Sequence, residues 1–528
     1  MITNEMKQRI DSLFQLWKDN PGAGGQLLIS YKGDVWETCY GYADIENQVP
    51  MTQETVFNVA SVTKQIVAMC VVMLHEQGVL NIDDPVSKYL PEMMNYPQKI
   101  TLSHLIHHTS GLREQYDLWR MHRKAEGETV TFENFFKLFA RQRGLNFDPQ
   151  DGFSYCNTGY TMLVEIIKRV TGKSFHEFAK ENIFEPLGMT NTGFIYAPEV
   201  EFAKESKSYG DDGWEYYPLD ARSLVYGSGG MRSTCRDMAK YITQYVNPTL
   251  ISKETLENIF LHIPPLKDGT VTNYACGVRI DEILGHKYIH HGGVTAGFRT
   301  VTAIYPDDDL IITAYTNTYN IPIEVAGRDI ARIILGLPER KKKNLDEYVT
   351  KPIDPQSAAG YYVRDGGGKD DFDTHCYDIR CEDGKVYVYM GGDLVLLKPI
   401  GNNLYKMGRR DITFAFGEKP AILKEGALVA LRKLERVEDP QKVDPILGTY
   451  YSEETDGYVT VKTENGAPVA CVNDGMANDL YMREEDLFSF GSMSTPNKLR
   501  FVRDETGKVV GMEYMLPQVR CMSYAKQN

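Results

Sequence analysis

The chain has 528 residues, of which 42% are hydrophobic and 25% charged, and a formal net charge of −14. That length exceeds what one hydrophobic core supports, so more than one domain is expected. The composition is that of an ordinary soluble globular protein, and the negative charge argues against nucleic acid or an anionic membrane as a main partner.

The first segment, Met1 to Arg9, has no basic run followed by an apolar one. It reads as an amphipathic helix through Trp17, so no secretory signal is expected. No stretch is long and apolar enough to span a bilayer. Residues 24–45 read as a hairpin: Gln26 to Tyr31, a turn at Lys32-Gly33-Asp34, then Val35 to Tyr40.

Ser61 and Lys64 follow, in Phe57-Asn58-Val59-Ala60-Ser61-Val62-Thr63-Lys64-Gln65. A serine hydroxyl is a weak nucleophile without a nearby base. Residues i and i+3 share a helix face, so Lys64 is placed to reach the Ser61 oxygen, and a helix starting there also aims free N–H groups at the same spot. A second Ser-x-x-Lys, Ser523 to Lys526, has no apolar helix behind it. At Ser61 the run Ile66 to Leu74 is apolar nearly all round, which predicts a buried helix ending at Gly78. Burial of Lys64 lowers its pKa and suits it to act as a base.

Helical and loop patterns fill residues 60–260. One helix is expected from about Thr158 through Val170 with its stop at Gly172; another follows Ser233 to Asp237 with Met238, Tyr241 and Ile242 inward. Strands return at Lys287 to Ile289, Arg299 to Ile304 and Leu310 to Tyr315. Strands therefore flank a helical insert, which predicts an α/β layer on one antiparallel sheet. The basic stretch Glu339 to Lys343 reads as a solvated linker.

Beyond it, short strands alternate with turns such as Asp383-Gly384, Gly391-Gly392-Asp393, Asn465-Gly466 and Thr506-Gly507, an all-β texture. It repeats: Asp354-Pro355 precedes Gly360-Tyr361-Tyr362, and ninety residues on Asp444-Pro445 precedes Gly448-Thr449-Tyr450-Tyr451. Each copy has the size of a small barrel. The expected class is α+β, with domains at 1–345, 346–440 and 441–528. The nine scattered cysteines contain no Cys-x-x-Cys, and the cluster His104-Leu105-Ile106-His107-His108 lacks acids or cysteines at ligand spacing. Reduced thiols, a cytoplasmic location and no metal or organic cofactor are expected.

Two further signals lie downstream of Ser61. Tyr155-Cys156-Asn157 follows a turn-rich loop; the phenol can relay a proton and the amide can hold a lysine or a substrate carbonyl. His290-His291-Gly292-Gly293-Val294 ends a strand pattern, and its glycines allow close approach. The Val294 N–H would complete an oxyanion pair with that of Ser61 if the strand edge faces it.

In that order, these motifs resemble the serine β-lactamase and penicillin-binding-protein superfamily, on the branch with class C β-lactamases, carboxypeptidases, esterases and D-aminopeptidases. Supporting stretches are Leu105 to Leu112 and Gly227 to Thr234, and the resemblance covers about residues 20–340. It implies Ser61 as the acylated nucleophile, Lys64 and Tyr155 sharing acid–base work, Asn157 positioning substrate and Lys64, and Ser61 and Val294 N–H groups as the oxyanion hole. His291 stands where many relatives carry the lysine of Lys-Thr-Gly, with Gly292 and Gly293 beside the substrate. In penicillin-recognising relatives that Lys and Thr bind a free carboxylate. His291 and Gly292 weaken such an anchor, because Gly292 has no hydroxyl and a histidine is largely neutral near pH 7.

The resemblance, together with the two expected barrels, implies a serine hydrolase acting on small peptides or amides, most closely an aminopeptidase releasing N-terminal D-amino acids. A carboxylesterase, a weak β-lactamase or DD-peptidase, and a non-enzymatic scaffold are the alternatives; a homodimer is compatible with all of them. In D-aminopeptidase a loop of the last barrel helps select a free amino terminus. The loop at that domain position here is Asn473 to Asp479, whose Asp474 and Asp479 either meet a substrate ammonium or belong to a plain solvated hairpin.

Overall fold

The computed structural model describes residues 1–528 except 20, 21, 94, 95, 97, 98, 126, 127, 196–200, 213, 214, 221–224, 342, 366–375, 391, 392, 409, 425, 438, 493, 494 and 528. The Gly391-Gly392 turn lies outside the described residues. The chain divides into two units. The first comprises Met1–Leu112, Val130–Phe132 and Phe147–Lys341; the second comprises Arg113–Thr129, Glu133–Asn146 and Lys342–Asn528.

In the first unit, α1 (Asn4–Leu13) precedes β1 (Gly25–Tyr31) and β2 (Asp34–Tyr40). Lys32 and Gly33 between them both have positive φ, 50° and 79°, the geometry whose twist suits a two-residue hairpin. The remaining principal elements are α2 (Thr63–Glu76), α3 (Asn157–Thr171), β3 (Arg279–Ile283), β4 (His286–Thr295), β5 (Phe298–Tyr305), β6 (Leu310–Thr316) and α4 (Ile323–Ile334). The six strands form one antiparallel sheet in the order β3-β4-β5-β6-β1-β2. The hairpin from the start of the unit pairs with its last strand, Leu28 opposite Thr313. The sheet is thus closed around the helical insert.

Alternation sorts the side chains of the sheet onto two faces. Leu27, Ile29, Val301, Ala303 and Ile312 pack with Ile10 of α1, Phe14, Trp17 and Ile330 and Ile334 of α4. Thr300 and Thr302 point to the other face, where Gln65 of α2 donates to Thr302 Oγ1 at 2.9 Å. Thr63 through Leu74 of α2 are all buried, as a helix apolar around its whole circumference requires.

Two boundaries differ from the sequence reading. Helix α2 begins at Thr63 behind a 3₁₀ turn, Ala60–Val62, so Ser61 stands in the turn. Strand β4 does not end at Ile289. It carries His290, His291, Gly292 and Gly293 onward, with Gly292 opposite Val301 and Gly293 opposite Thr300. Low strand propensity of glycine suggested a break, and ladder pairing overrides it.

In the second unit, eight consecutive strands from Gly360–Arg364 to Ala427–Leu434 close into a barrel, with Tyr361 of the first opposite Leu434 of the last. Tyr362, Tyr377, Val388, Phe414, Phe416 and Ile422 fill it. Nine further strands form a second antiparallel sheet. Its outermost strands, Asn478–Asp479 and Tyr481–Glu484, are separated only by Leu480, so this sheet also curls back on itself.

The two Asp-Pro repeats build one local device twice. Tyr362 OH donates to Ala358 O at 2.9 Å and Tyr450 OH to Ile446 O at 2.8 Å. Gly360 and Gly448 have φ of 147° and 138°. Lys433 lies over the Tyr362 ring at 5.8 Å, and Lys526 over the Tyr450 ring at 5.6 Å. The same unit contains the helix Gln115–Met121. There the Arg113 guanidinium donates to Glu454 Oε2 at 2.7 Å and to Cys521 O at 2.8 Å. The nine cysteines are free thiols. Among the described residues no helix is long and apolar enough to cross a membrane.

Candidate active site

The turn that presents Ser61 is held from three sides. Phe57 and Asn58 pair with Ser233 and Arg232. Val59 N–H donates to Met231 O at 2.9 Å, and Val59 O accepts from Thr300 Oγ1 at 3.0 Å. Ala60 takes a left-handed conformation, φ 48°, which is rare for a residue with a Cβ. Asn58 Oδ1 accepts its N–H at 3.0 Å and Thr63 Oγ1 donates to its carbonyl at 2.6 Å. Backbone strain maintained by this many contacts is typical of functional turns.

Lys64, fully buried, places Nζ 3.3 Å from Ser61 Oγ, 2.7 Å from Asn157 Oδ1 and 2.6 Å from Ser228 O. A lysine ammonium has three donors, and each finds an acceptor. The chemistry follows from what those acceptors are. Asn157 Oδ1 and Ser228 O can only accept, so a neutral Lys64 keeps both N–H bonds to them. Its lone pair is then left toward the one partner that carries a removable proton, the Ser61 hydroxyl. The Tyr155 and Tyr160 ring centroids lie 4.8 and 5.5 Å from Nζ.

Tyr155 and Asn157 reach this point through His108. Its Nδ1 accepts the Cys156 N–H at 3.1 Å, and its carbonyl accepts the Ser154 N–H at 3.0 Å. Asn157 then opens α3, which stops at Gly172 with φ 72°. The buried His108 ring lies 4.3, 4.5 and 5.2 Å from the rings of Tyr155, Tyr274 and Tyr160. Burial, and secondarily the Lys64 charge, hold its pKa well below the ordinary histidine value.

His291 enters from the sheet side. Its Nδ1 lies 2.6 Å from Gly292 O, an acceptor only, so Nδ1 carries the proton and Nε2 accepts from Tyr274 OH at 3.0 Å. Burial first, then the Lys64 charge, keep this imidazole neutral, with its pKa well below the ordinary value. Its ring is 6.1 Å from that of Tyr155. His291 thus braces the tyrosine pair, with both ring nitrogens already engaged. Burial pushes the Tyr274 phenol well above its usual pKa.

Strand β3 pairs with β4 only as far as His290, opposite Arg279, which leaves β4 from His291 onward with one open edge. Val294, 60% exposed, lies on that edge. Gly293 fits directly against the nucleophile turn: a Cβ there would lie 2.3 Å from Val59 O and from Thr300 Oγ1. The close approach that its glycine permits brings the Val294 edge alongside Ser61. A Cβ on Gly292 would lie 1.7 Å from Glu324 Oε1.

Ser61, Lys64, Tyr155, Asn157, His291, Gly292, Gly293 and Val294 therefore come together in the first unit. Asp474 and Asp479 lie in the second. There Asp474 accepts from Tyr458 OH, and Asp479 pairs with Arg436 at 2.6 Å. Sequence reasoning missed the Ser228 carbonyl, the His108 anchor, Tyr274 and Glu324. The stretch Gly227-Ser228-Gly229-Gly230 pointed to the first, because positive φ at Gly227 and Gly230 (107° and 92°) turns that loop inward. The Leu105 to Leu112 stretch pointed to His108; Tyr274 carries no motif.

Against known proteins, the sequence matches the family described as Beta-lactamase over residues 11–335. It is 24% identical to penicillin-binding protein 4* of Bacillus subtilis strain 168 over 422 residues, 74% of this chain and 89% of that one. It is 25% identical to a D-aminopeptidase of Brucella anthropi over 513 residues, 93% of each chain. The octameric penicillin-binding protein homologue from Pyrococcus abyssi superposes with a TM-score of 0.56 at 22% identity, covering 82% of this chain and all of that one.

Proposed function

The chain belongs to the beta-lactamase family and is a serine hydrolase of that superfamily, and from this premise we propose that it is an aminopeptidase or amidase that releases a free, D-configured N-terminal amino acid. The observation that carries the proposal is the three-way hold on Lys64 Nζ, which aims a base at Ser61 Oγ. In the proposed reaction Ser61 Oγ attacks the scissile carbonyl while Lys64, with Tyr155, takes the hydroxyl proton. The Ser61 and Val294 N–H groups hold the oxyanion. The tetrahedral adduct collapses, the C–N bond breaks, and Tyr155 returns the proton to the leaving amine. Water then adds to the acyl-enzyme by the same proton path and frees the amino acid.

The restriction to D-residues with a free amino group is supported by the similarity to D-aminopeptidase along nearly the whole chain. The histidine and glycine in the Lys-Thr positions agree with it, since no cationic side chain stands there to hold a substrate carboxylate. Of the loop acids, Asp479 pairs with Arg436 and Asp474 accepts from the Tyr458 phenol. The test is turnover of D-alanyl, L-alanyl and N-acetyl-D-alanyl p-nitroanilides. Selective turnover of the D-alanyl compound is expected. Inert anilides alongside fast hydrolysis of short acyl esters would establish an esterase instead.

A further inference from the structure

Gly292 is the position at which a penicillin-recognising relative offers a hydroxyl to a substrate carboxylate. Here that space is occupied by a carboxylate. A Cβ at Gly292 would lie 1.7 Å from Oε1 and 2.4 Å from Cδ of Glu324, so the acid rests against the bare α-carbon. Glu324 stands in the first turn of α4, is exposed, and has no ion pair among the described residues. The absence of a side chain at 292 and the presence of the acid are thus one feature.

The nearby cations form no ion pair with it among the described residues, including Arg328, one turn further along α4. Arg279, opposite His290, donates to Asn273 Oδ1 at 3.0 Å and lies 5.4 Å from the Tyr274 ring centroid. Arg299, opposite Val294, donates to Ala296 O at 2.9 Å and Phe298 O at 2.7 Å. Lys64 is committed to its three oxygens.

The side of the scissile bond that Glu324 faces follows from the proposed reaction. Tyr155 returns the proton to the leaving group, so the leaving group passes over Tyr155 and its neighbour His291. Gly292 is the next residue along the open edge of β4. We propose that Glu324 is the specificity-determining residue for the leaving group: it repels a free carboxylate beside the scissile bond and favours neutral or cationic leaving groups, so that amides and amines are preferred over terminal dipeptides. The placement rests on the reading of the site as a serine hydrolase, and is independent of which acyl group the enzyme prefers.

The test therefore keeps the acyl group constant and minimal. Three aryl acetates are compared whose leaving phenols carry, at the meta position, a carboxylate, a carboxamide or a trimethylammonium group. kcat/KM is measured for wild type, Glu324→Gln and Gly292→Ala, the neutral ester serving as internal reference. Comparing each variant with wild type cancels the intrinsic reactivity of the three phenols. The cationic-to-anionic ratio is expected to fall at least about fivefold in Glu324→Gln, and in Gly292→Ala, whose methyl displaces the acid. A ratio within about twofold of wild type in both variants overturns the proposal. Failure of the D-alanyl anilides leaves this ratio readable, so the two readings fail separately.

Discussion

Lys64 Nζ and Asn157 Oδ1, ninety-three residues apart in sequence, are joined by a 2.7 Å hydrogen bond. Through it the first turn of α3 sets the direction in which a buried lysine offers its lone pair. Asn157→Ala removes one of the two acceptors that direct it. A fall in kcat of about 10–100-fold is expected, with a smaller change in KM, because the loss concerns alignment of the base. Lys64→Gln removes the base itself and is expected to cost about 10³-fold or more. Steady-state kinetics on one activated ester checks both.

His291 is held neutral by burial and by the neighbouring Lys64 charge, with its pKa well below the ordinary histidine value. It therefore gains a proton only at a pH below the usual histidine range. His291→Gln is expected to lower kcat/KM by loosening Tyr274 while leaving the acid limb of the pH–rate profile within about 0.3 unit of wild type. A profile from pH 5 to 9 for both proteins checks this; an acid limb that moves in the variant would mean the imidazole itself titrates in the working range.

His107 is fully packed inside the first unit, and burial lowers its pKa to about 4. The unfolded chain, with a pKa near 6.5, binds the proton more readily than the folded one in between. Its contribution to stability is thus complete above about pH 6.5 and is lost as the pH falls toward 4, by up to about 3 kcal/mol. Denaturant titrations at pH 7.5, 6 and 5 are expected to show that decline, with a shallower slope in His107→Asn.

The cluster around Lys64 is legible in the sequence because short-range geometry builds most of it. Ser61 and Lys64 are one turn apart, and Tyr155 and Asn157 flank the residue that caps α3. The antiparallel sheet is legible from strands on either side of a helical stretch. What is hidden comes from groups without side-chain identity or from long-range packing. The Ser228 contribution is a carbonyl, which any residue supplies. Glu324 reaches Gly292 only because α4 folds back across the sheet, and the extent of β4 depends on its ladder with β5. The grouping of residues 113–129 and 133–146 with the C-terminal unit depends on contacts such as Arg113 to Glu454, more than three hundred residues on, which no local periodicity encodes.

That contact is itself testable. The Arg113 side chain is 7% exposed and that of Glu454 17%. Arg113→Met leaves a half-buried carboxylate without its cation, and is expected to destabilise the second unit by about 3 kcal/mol or more. Differential scanning calorimetry is the measurement. A transition assigned to that unit should move down, with the esterase rate at low temperature little changed.

The central claim is that Ser61, activated by Lys64, is the nucleophile. It is tested most directly by incubating the protein with a fluorophosphonate and mapping the adduct by peptide mass spectrometry. The account predicts one adduct, on Ser61, absent in Ser61→Ala and formed far more slowly in Lys64→Gln. Labelling at any other residue, or undiminished labelling in Ser61→Ala, would contradict it.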